Sequence, residues 1–174
     1  MRGLERLQVL VADDNREMRA ITATVLRSAG FRHIHEACSG EDALAALRHF
    51  PADLAIVDYK MSPMNGVEFT SRVRSDPDSP NPYLPIIMLT GHARRDRVSA
   101  ARDAGITEFL AKPITARTLL GRIETIILKP RPFAASSSYT GPCRRRRNDS
   151  AYAGPFRRAH DGDGELIVVE RRRR

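Results

Sequence analysis

The chain has 174 residues, of which 41% are hydrophobic and 29% charged, with a formal net charge of +8. That length suits one ordinary domain with a modest extension, and no apolar run approaches the ~18 residues that a membrane span requires. Cys38 and Cys143 have no metal-binding or redox spacing, and no apolar signal core follows the charged start Met1–Arg6, so a cytoplasmic protein with no membrane contact is expected.

The charge is unevenly placed. Residues 1–128 hold 17 basic and 16 acidic side chains, while residues 129–174 hold 12 and 5. The basic character belongs to the tail, and the body is nearly neutral.

Within the body, short apolar runs alternate with helical patterns. Leu7 to Ala12 reads as a first strand. Met18, Ile21, Val25 and Leu26 then recur at helical spacing up to Gly30, a helix-ending glycine. A weaker strand covers 32–37. Ser39 opens a second helix, with Leu44, Leu47 and Phe50 on one side. Asp53 to Val57 is a third strand, and Asn65 with Glu68 has capping-box spacing for a third helix. Pro85 to Thr90 is a fourth strand, residues 94–104 form a basic helix, Thr107 to Leu110 is a short fifth strand, and residues 115–128 form a last helix.

Five strands alternating with five helices predict an α/β domain with a mostly parallel sheet. Runs such as Leu54-Ala-Ile-Val57 and Ile86-Ile-Met-Leu89 are apolar throughout, as strands covered on both faces should be. In such sheets ligands bind beyond the carboxyl ends of the strands. Strand one ends in Asp13-Asp14, strand three in Asp58 and strand four in Thr90; strand five is followed by Lys112-Pro113. With the order 2-1-3-4-5, taken by analogy with doubly wound, flavodoxin-like folds, these residues share one rim.

Three crowded carboxylates call for a hard divalent cation, and Mg²⁺ accepts a few carboxylate oxygens while keeping waters and phosphate oxygens. A carboxylate can act as a nucleophile and become an acyl phosphate. An ammonium and a hydroxyl can each hold a phosphoryl oxygen. The rim therefore has the parts of a site that receives a phosphoryl group on an aspartate.

The segments Val9-Leu-Val-Ala-Asp13-Asp14-Asn15, Leu54-Ala-Ile-Val-Asp58-Tyr-Lys-Met61, Met64-Asn-Gly66, Ile86-Ile-Met-Leu-Thr90-Gly91 and Phe109-Leu-Ala-Lys112-Pro113 stand in order, each near its strand end. In them the chain resembles the response-regulator receiver domain of two-component signalling over about residues 5–128, and specifically a stand-alone receiver with a basic tail. The resemblance implies that Asp58 is the phosphoacceptor. Asp14, Asp58 and the backbone carbonyl of Lys60 would ligate Mg²⁺, with Asp13 acting mainly through a metal-bound water. Thr90 would move toward the phosphoryl group and Phe109 would follow it as a switch. Lys112 would pair with the phosphate, through a Lys112–Pro113 bond that is cis in the family. Lys60 and His92, two positions after Asp58 and Thr90, would tune hydrolysis. One departure is Met61-Ser62-Pro63, where the family places proline directly after the methionine.

The implied function is a phosphorylatable switch that takes its phosphoryl group from a sensor histidine kinase or a phosphotransfer protein and acts on a downstream protein. It would catalyse only its own phosphorylation and dephosphorylation, so it is not an enzyme acting on an outside substrate. Simpler readings exist for single residues. Asp14 has the spacing to cap the first helix, with Glu17 three positions on, and Phe109 could be plain core. His33 and His35 share a strand face with no third ligand in view, and Asp161-Gly-Asp-Gly-Glu165 lacks the spacing of a calcium loop.

Residues 129–174 read as a basic, low-complexity tail that is largely disordered, with Lys129-Pro-Arg-Pro132 and Ser136-Ser-Ser138 as linker. Tyr139-Thr-Gly-Pro-Cys-Arg-Arg145 is echoed thirteen residues later by Tyr152-Ala-Gly-Pro-Phe-Arg-Arg158. Such a tail suits an anionic partner. An alternative function is therefore nucleic-acid or other anionic binding through the tail, with the receiver as regulator. A second alternative, an aspartyl-phosphate phosphohydrolase, would need Asp-x-Asp after strand one, where this chain has Asn15.

Overall fold

The computed structural model describes residues 3–91, 95–136, 139–143 and 165–167. A 3-10 turn at Leu4–Arg6 leads into β1 (Gln8–Ala12), α1 (Arg16–Ser28), β2 (His33–Ala37), α2 (Gly40–Leu47), β3 (Leu54–Asp58), α3 (Gly66–Ser75), β4 (Ile86–Thr90), α4 (Arg95–Asp103), β5 (Glu108–Ala111) and α5 (Ala116–Leu128). The five strands are parallel in the order β2-β1-β3-β4-β5, so the order taken by analogy is the observed one.

Burial explains the apolar runs. All five residues of β3 and all five of β4 are buried. Alternate side chains feed two cores, one on each face of the sheet. Leu10, Val57, Phe69 and Met88 lie in one, and Val9, Ile56, Leu89, Leu119 and Ile123 in the other. A β-carbon on Gly66 would come within 2.3 Å of the Asp58 carbonyl oxygen, so only glycine lets α3 start this close to β3.

Caps set the helix starts. Asn15 accepts from the amides of Glu17 and Met18, and Asn65 forms a capping box with Glu68. Each cap contributes roughly 1 kcal/mol. The helix-capping alternative for Asp14 is thereby replaced, since Asn15 takes the cap. Among the described residues no helix is long and apolar enough to cross a membrane.

The chain after α5 differs from the linker expected there. Phe133–Ser136 (β6) and Tyr139–Pro142 (β7) form an antiparallel pair, and β6 also pairs with Glu165–Ile167 (β8). The hairpin is fastened to the body through buried Phe133, which meets Tyr83 edge-on at 5.5 Å and lies under the Arg74 guanidinium at 5.1 Å. Gly105, at φ +93, passes so close to Thr140 that a β-carbon there would lie 2.7 Å from its carbonyl oxygen. Burial of one aromatic ring stabilises such a contact by about 2 kcal/mol, which proline and serine content does not reveal. The second copy of the tail repeat, the acidic run from Asp161 to Gly164 and the arginines at 144–147 and 171–174 lie outside the described residues.

Candidate functional site

The carboxyl ends of β1, β3, β4 and β5 open into a cleft of about 270 Å³ whose lining includes Asp13, Asp14, Asp58, Thr90 and Lys112. Parallel pairing in register produces this: Ala12 lies beside Val57, Asp58 beside Leu89 and Thr90 beside Ala111, so the first polar residues after each apolar run arrive together.

One carboxylate oxygen from each of Asp13, Asp14 and Asp58 lies within 4.8 Å of the others. Asp13 and Asp58 are buried and Asp14 is exposed. Lys112 bridges the two buried acids, its Nζ lying 2.8 Å from Asp13 Oδ2 and 2.7 Å from Asp58 Oδ1. Backbone amides take the remaining oxygens: Asn15 N–H donates to Asp13 Oδ1 at 2.9 Å and Lys60 N–H to Asp58 Oδ2 at 3.0 Å. Arg19 donates to the Asp13 carbonyl at 2.7 Å.

Burial raises the Asp58 carboxyl above the ordinary aspartate value, while Lys112 and the Lys60 amide oppose the rise and Asp13 adds to it. A more basic carboxylate is the better nucleophile. For Lys112, burial favours the neutral amine, but the hydrogen bonds and charges of Asp13 and Asp58 outweigh it and raise the pKa. The three carboxylates cluster closely and, among the described residues, Lys112 is the one cation bonded to them, so the donor set fits a hard divalent cation bound by oxygen.

The remaining predicted residues fall into different settings. Thr90 is buried at the end of β4. Phe109 is half-buried and packs against the core that contains Met61, Met64 and Met88. Lys60 is exposed and lines the cleft. His92 lies outside the described residues. The Lys112–Pro113 and Ser62–Pro63 bonds are both cis. His33 is exposed, and His35 stacks on Phe50 at 5.3 Å. Arg97 also lines the cleft, with its guanidinium 5.4 Å from the centre of the Tyr59 ring. Sequence reasoning missed it because surface arginines on a basic helix give no signal of their own, and the adjacent Tyr59 was the only hint.

The family model of the response regulator receiver domain matches residues 9–124. The chain is 32% identical over 122 residues to chemotaxis protein CheY-3 of Vibrio cholerae, covering 70% of this chain and 92% of that protein. It is 35% identical over 120 residues to chemotaxis protein CheY of Pseudomonas aeruginosa, covering 69% and 95%. The fold is similar to the solved CheX–CheY–BeF3–Mg complex of Borrelia burgdorferi, with a TM-score of 0.63, 25% identity and coverage of 71% of this chain and 90% of that one.

Proposed function

The chain belongs to the response regulator receiver family, and from that premise we propose that it is a phosphorylatable switch whose Asp58 carboxylate accepts a phosphoryl group. The observation that carries this reading is Lys112 bridging two buried carboxylates at 2.7 and 2.8 Å on the rim where four strands end. A structural ion pair would need one acid; here a single ammonium serves two, with a third beside them.

Asp58, Asp14 and the Lys60 carbonyl would hold Mg²⁺, with Asp13 acting through a bound water. The cation would supply charge neutralisation for the transferring phosphoryl group. Asp58 Oδ attacks phosphorus while the donor's bond to phosphorus breaks, and Lys112 holds a phosphoryl oxygen of the product. Thr90 donates its hydroxyl to another, and Phe109, at the border of the core, follows Thr90 as the switch. The phosphoryl group would come from a sensor histidine kinase or a phosphotransfer protein. The output would be a downstream protein. The chain would turn over no outside substrate, and cytoplasmic residence agrees with this role.

Incubation of the Asp58→Asn variant with acetyl phosphate and Mg²⁺ tests the proposal. Wild type should gain one phosphoryl mass that hydroxylamine removes, and the variant should gain none. A variant that still acquires a hydroxylamine-sensitive phosphate would exclude Asp58.

A further inference from the structure

Lys112 shares its ammonium between Asp13 and Asp58. The cleft has another fixed cation. Arg97, in the first turn of α4, is half-buried, lines the cleft with Asp58 and rests on the Tyr59 ring at 5.4 Å. Among the described residues it has no ion pair and no hydrogen bond.

Its perch is firmly built. Tyr59 N–H donates to the Leu89 carbonyl at 2.7 Å, the Tyr59 carbonyl accepts from Gly66 N–H at 3.1 Å, and the ring packs against the core. A guanidinium near an aromatic ring gains cation–π attraction, and its five N–H donors lie in the guanidinium plane, with no carboxylate bonded to them among the described residues. A donor phosphate approaching Asp58 must enter a cleft lined by three carboxylates, and a planar, preoriented cation at the mouth offsets that repulsion.

We propose that Arg97, held by Tyr59, is a specificity-determining residue that binds the phosphate oxygens of the incoming donor and favours a dianionic donor over one of lower charge. The inference rests on Asp58 being the phosphoacceptor. Acetyl phosphate is a dianion near neutral pH; as the bond from phosphorus to Asp58 Oδ forms, the bond from phosphorus to the acetyl oxygen breaks and acetate leaves with the electron pair. Phosphoramidate carries one net negative charge, and its phosphorus–nitrogen bond breaks with ammonia as the leaving group. Loss of the cation should therefore slow the first donor more than the second.

The experiment compares second-order phosphorylation rates of wild type, Arg97→Gln and Arg97→Lys with each donor in saturating Mg²⁺. Intact mass is the readout, since the chain has no tryptophan. Arg97→Gln should slow acetyl phosphate about tenfold, equivalent to ~1.4 kcal/mol of barrier, and phosphoramidate about twofold. Arg97→Lys should recover part of the loss, and high salt should narrow the gap between wild type and Arg97→Gln. Unchanged rates would overturn the proposal, and so would equal slowing with both donors, which a disturbed α4 would produce. If wild type takes no phosphoryl group from either donor, the phosphoacceptor reading falls together with this one; if wild type is phosphorylated and the donor ratio is unchanged in Arg97→Gln, only the role of Arg97 falls.

Discussion

The two ends of the parallel sheet each hold a cation, half-buried Lys112 at one and buried Arg74 at the other, and they satisfy it differently. At the carboxyl ends, Lys112 is shared between the carboxylates of Asp13 and Asp58. At the amino ends, Arg74 is buried and, among the described residues, pairs with no acid: it donates to the carbonyls of Gly105 at 3.1 Å, Pro82 at 2.7 Å and Leu84 at 2.7 Å, and its guanidinium lies over the Phe133 ring. Their proton affinities move in opposite directions. Paired carboxylates raise Lys112, whereas burial pulls Arg74 down to about 9, opposed only by Tyr139. Carbonyl dipoles belong to the backbone and cannot be exchanged, so Arg74 is a permanent clamp joining α3, the loop before β4, the turn before β5 and the hairpin. Carboxylates can take up a metal or a phosphoryl group instead, so the contacts of Lys112 can be rearranged. The molecule keeps its exchangeable charges at one end and its fixed ones at the other.

Removing the clamp should have the largest effect on stability. Arg74→Met strands three carbonyls and undercuts Phe133, and should cost about 3 kcal/mol, read as a lower urea midpoint. Phosphorylation of the remaining folded protein should persist. Loss of phosphorylation with unchanged stability would erase the distinction between the two ends.

Lys112→Met should destabilise less, by about 2 kcal/mol at neutral pH, because Asp13 and Asp58 lose their shared counterion. The sign with pH follows from the raised folded-state value. The contribution of Lys112 is fully present below the unfolded value of about 10.5, and it is lost as pH rises through the higher folded value. The gap between wild type and variant should therefore stay constant from pH 7 to 9 and close only above that range. A gap that closes below pH 9 would mean that the carboxylates do not hold the ammonium.

Asp14→Ala should weaken Mg²⁺ binding by at least tenfold, since a charged oxygen ligand is lost from a cluster of three, and should modestly raise the melting temperature without metal by relieving repulsion. Equal metal titration midpoints would remove Asp14 from the cation site. The smallest effect is expected from exposed Lys60. Lys60→Ala should speed loss of the phosphoryl group several-fold, about 1 kcal/mol of barrier, on the proposal that its charge would stabilise the bound phosphate and its chain would obstruct the attacking water. Decay measured in excess Mg²⁺ checks this, and equal or slower decay in the variant would take Lys60 out of the mechanism.

Much of the fold and of the site was legible in the sequence. Apolar runs of four or five residues that stop at Asp13, Asp58 and Thr90 mark both the strands and the rim, because a chain leaving a doubly covered sheet meets solvent only at the strand ends. The Asn65–Glu68 box is a local signal of the same kind. What stayed hidden depends on contacts distant in sequence. Arg74 follows Phe69 and Val73 on the buried side of α3, but a basic residue at such a position points to a carbonyl clamp only once residues 82, 84, 105 and 133 are seen around it.

The amino-acid sequence by itself determined the alternation of strands and helices, the caps at Ser39 and Asn65, and which residues end each strand, since all three depend on neighbours a few positions apart. Tertiary structure alone decided that Asn15 and not Asp14 caps α1, that one ammonium joins acids 45 residues apart, that Arg97 rests on Tyr59, and that the segment after α5 returns as a hairpin over Arg74. Each of these is a choice among partners that are equally available along the chain, and only packing in space, which buries some of them and leaves others in water, separates the alternatives.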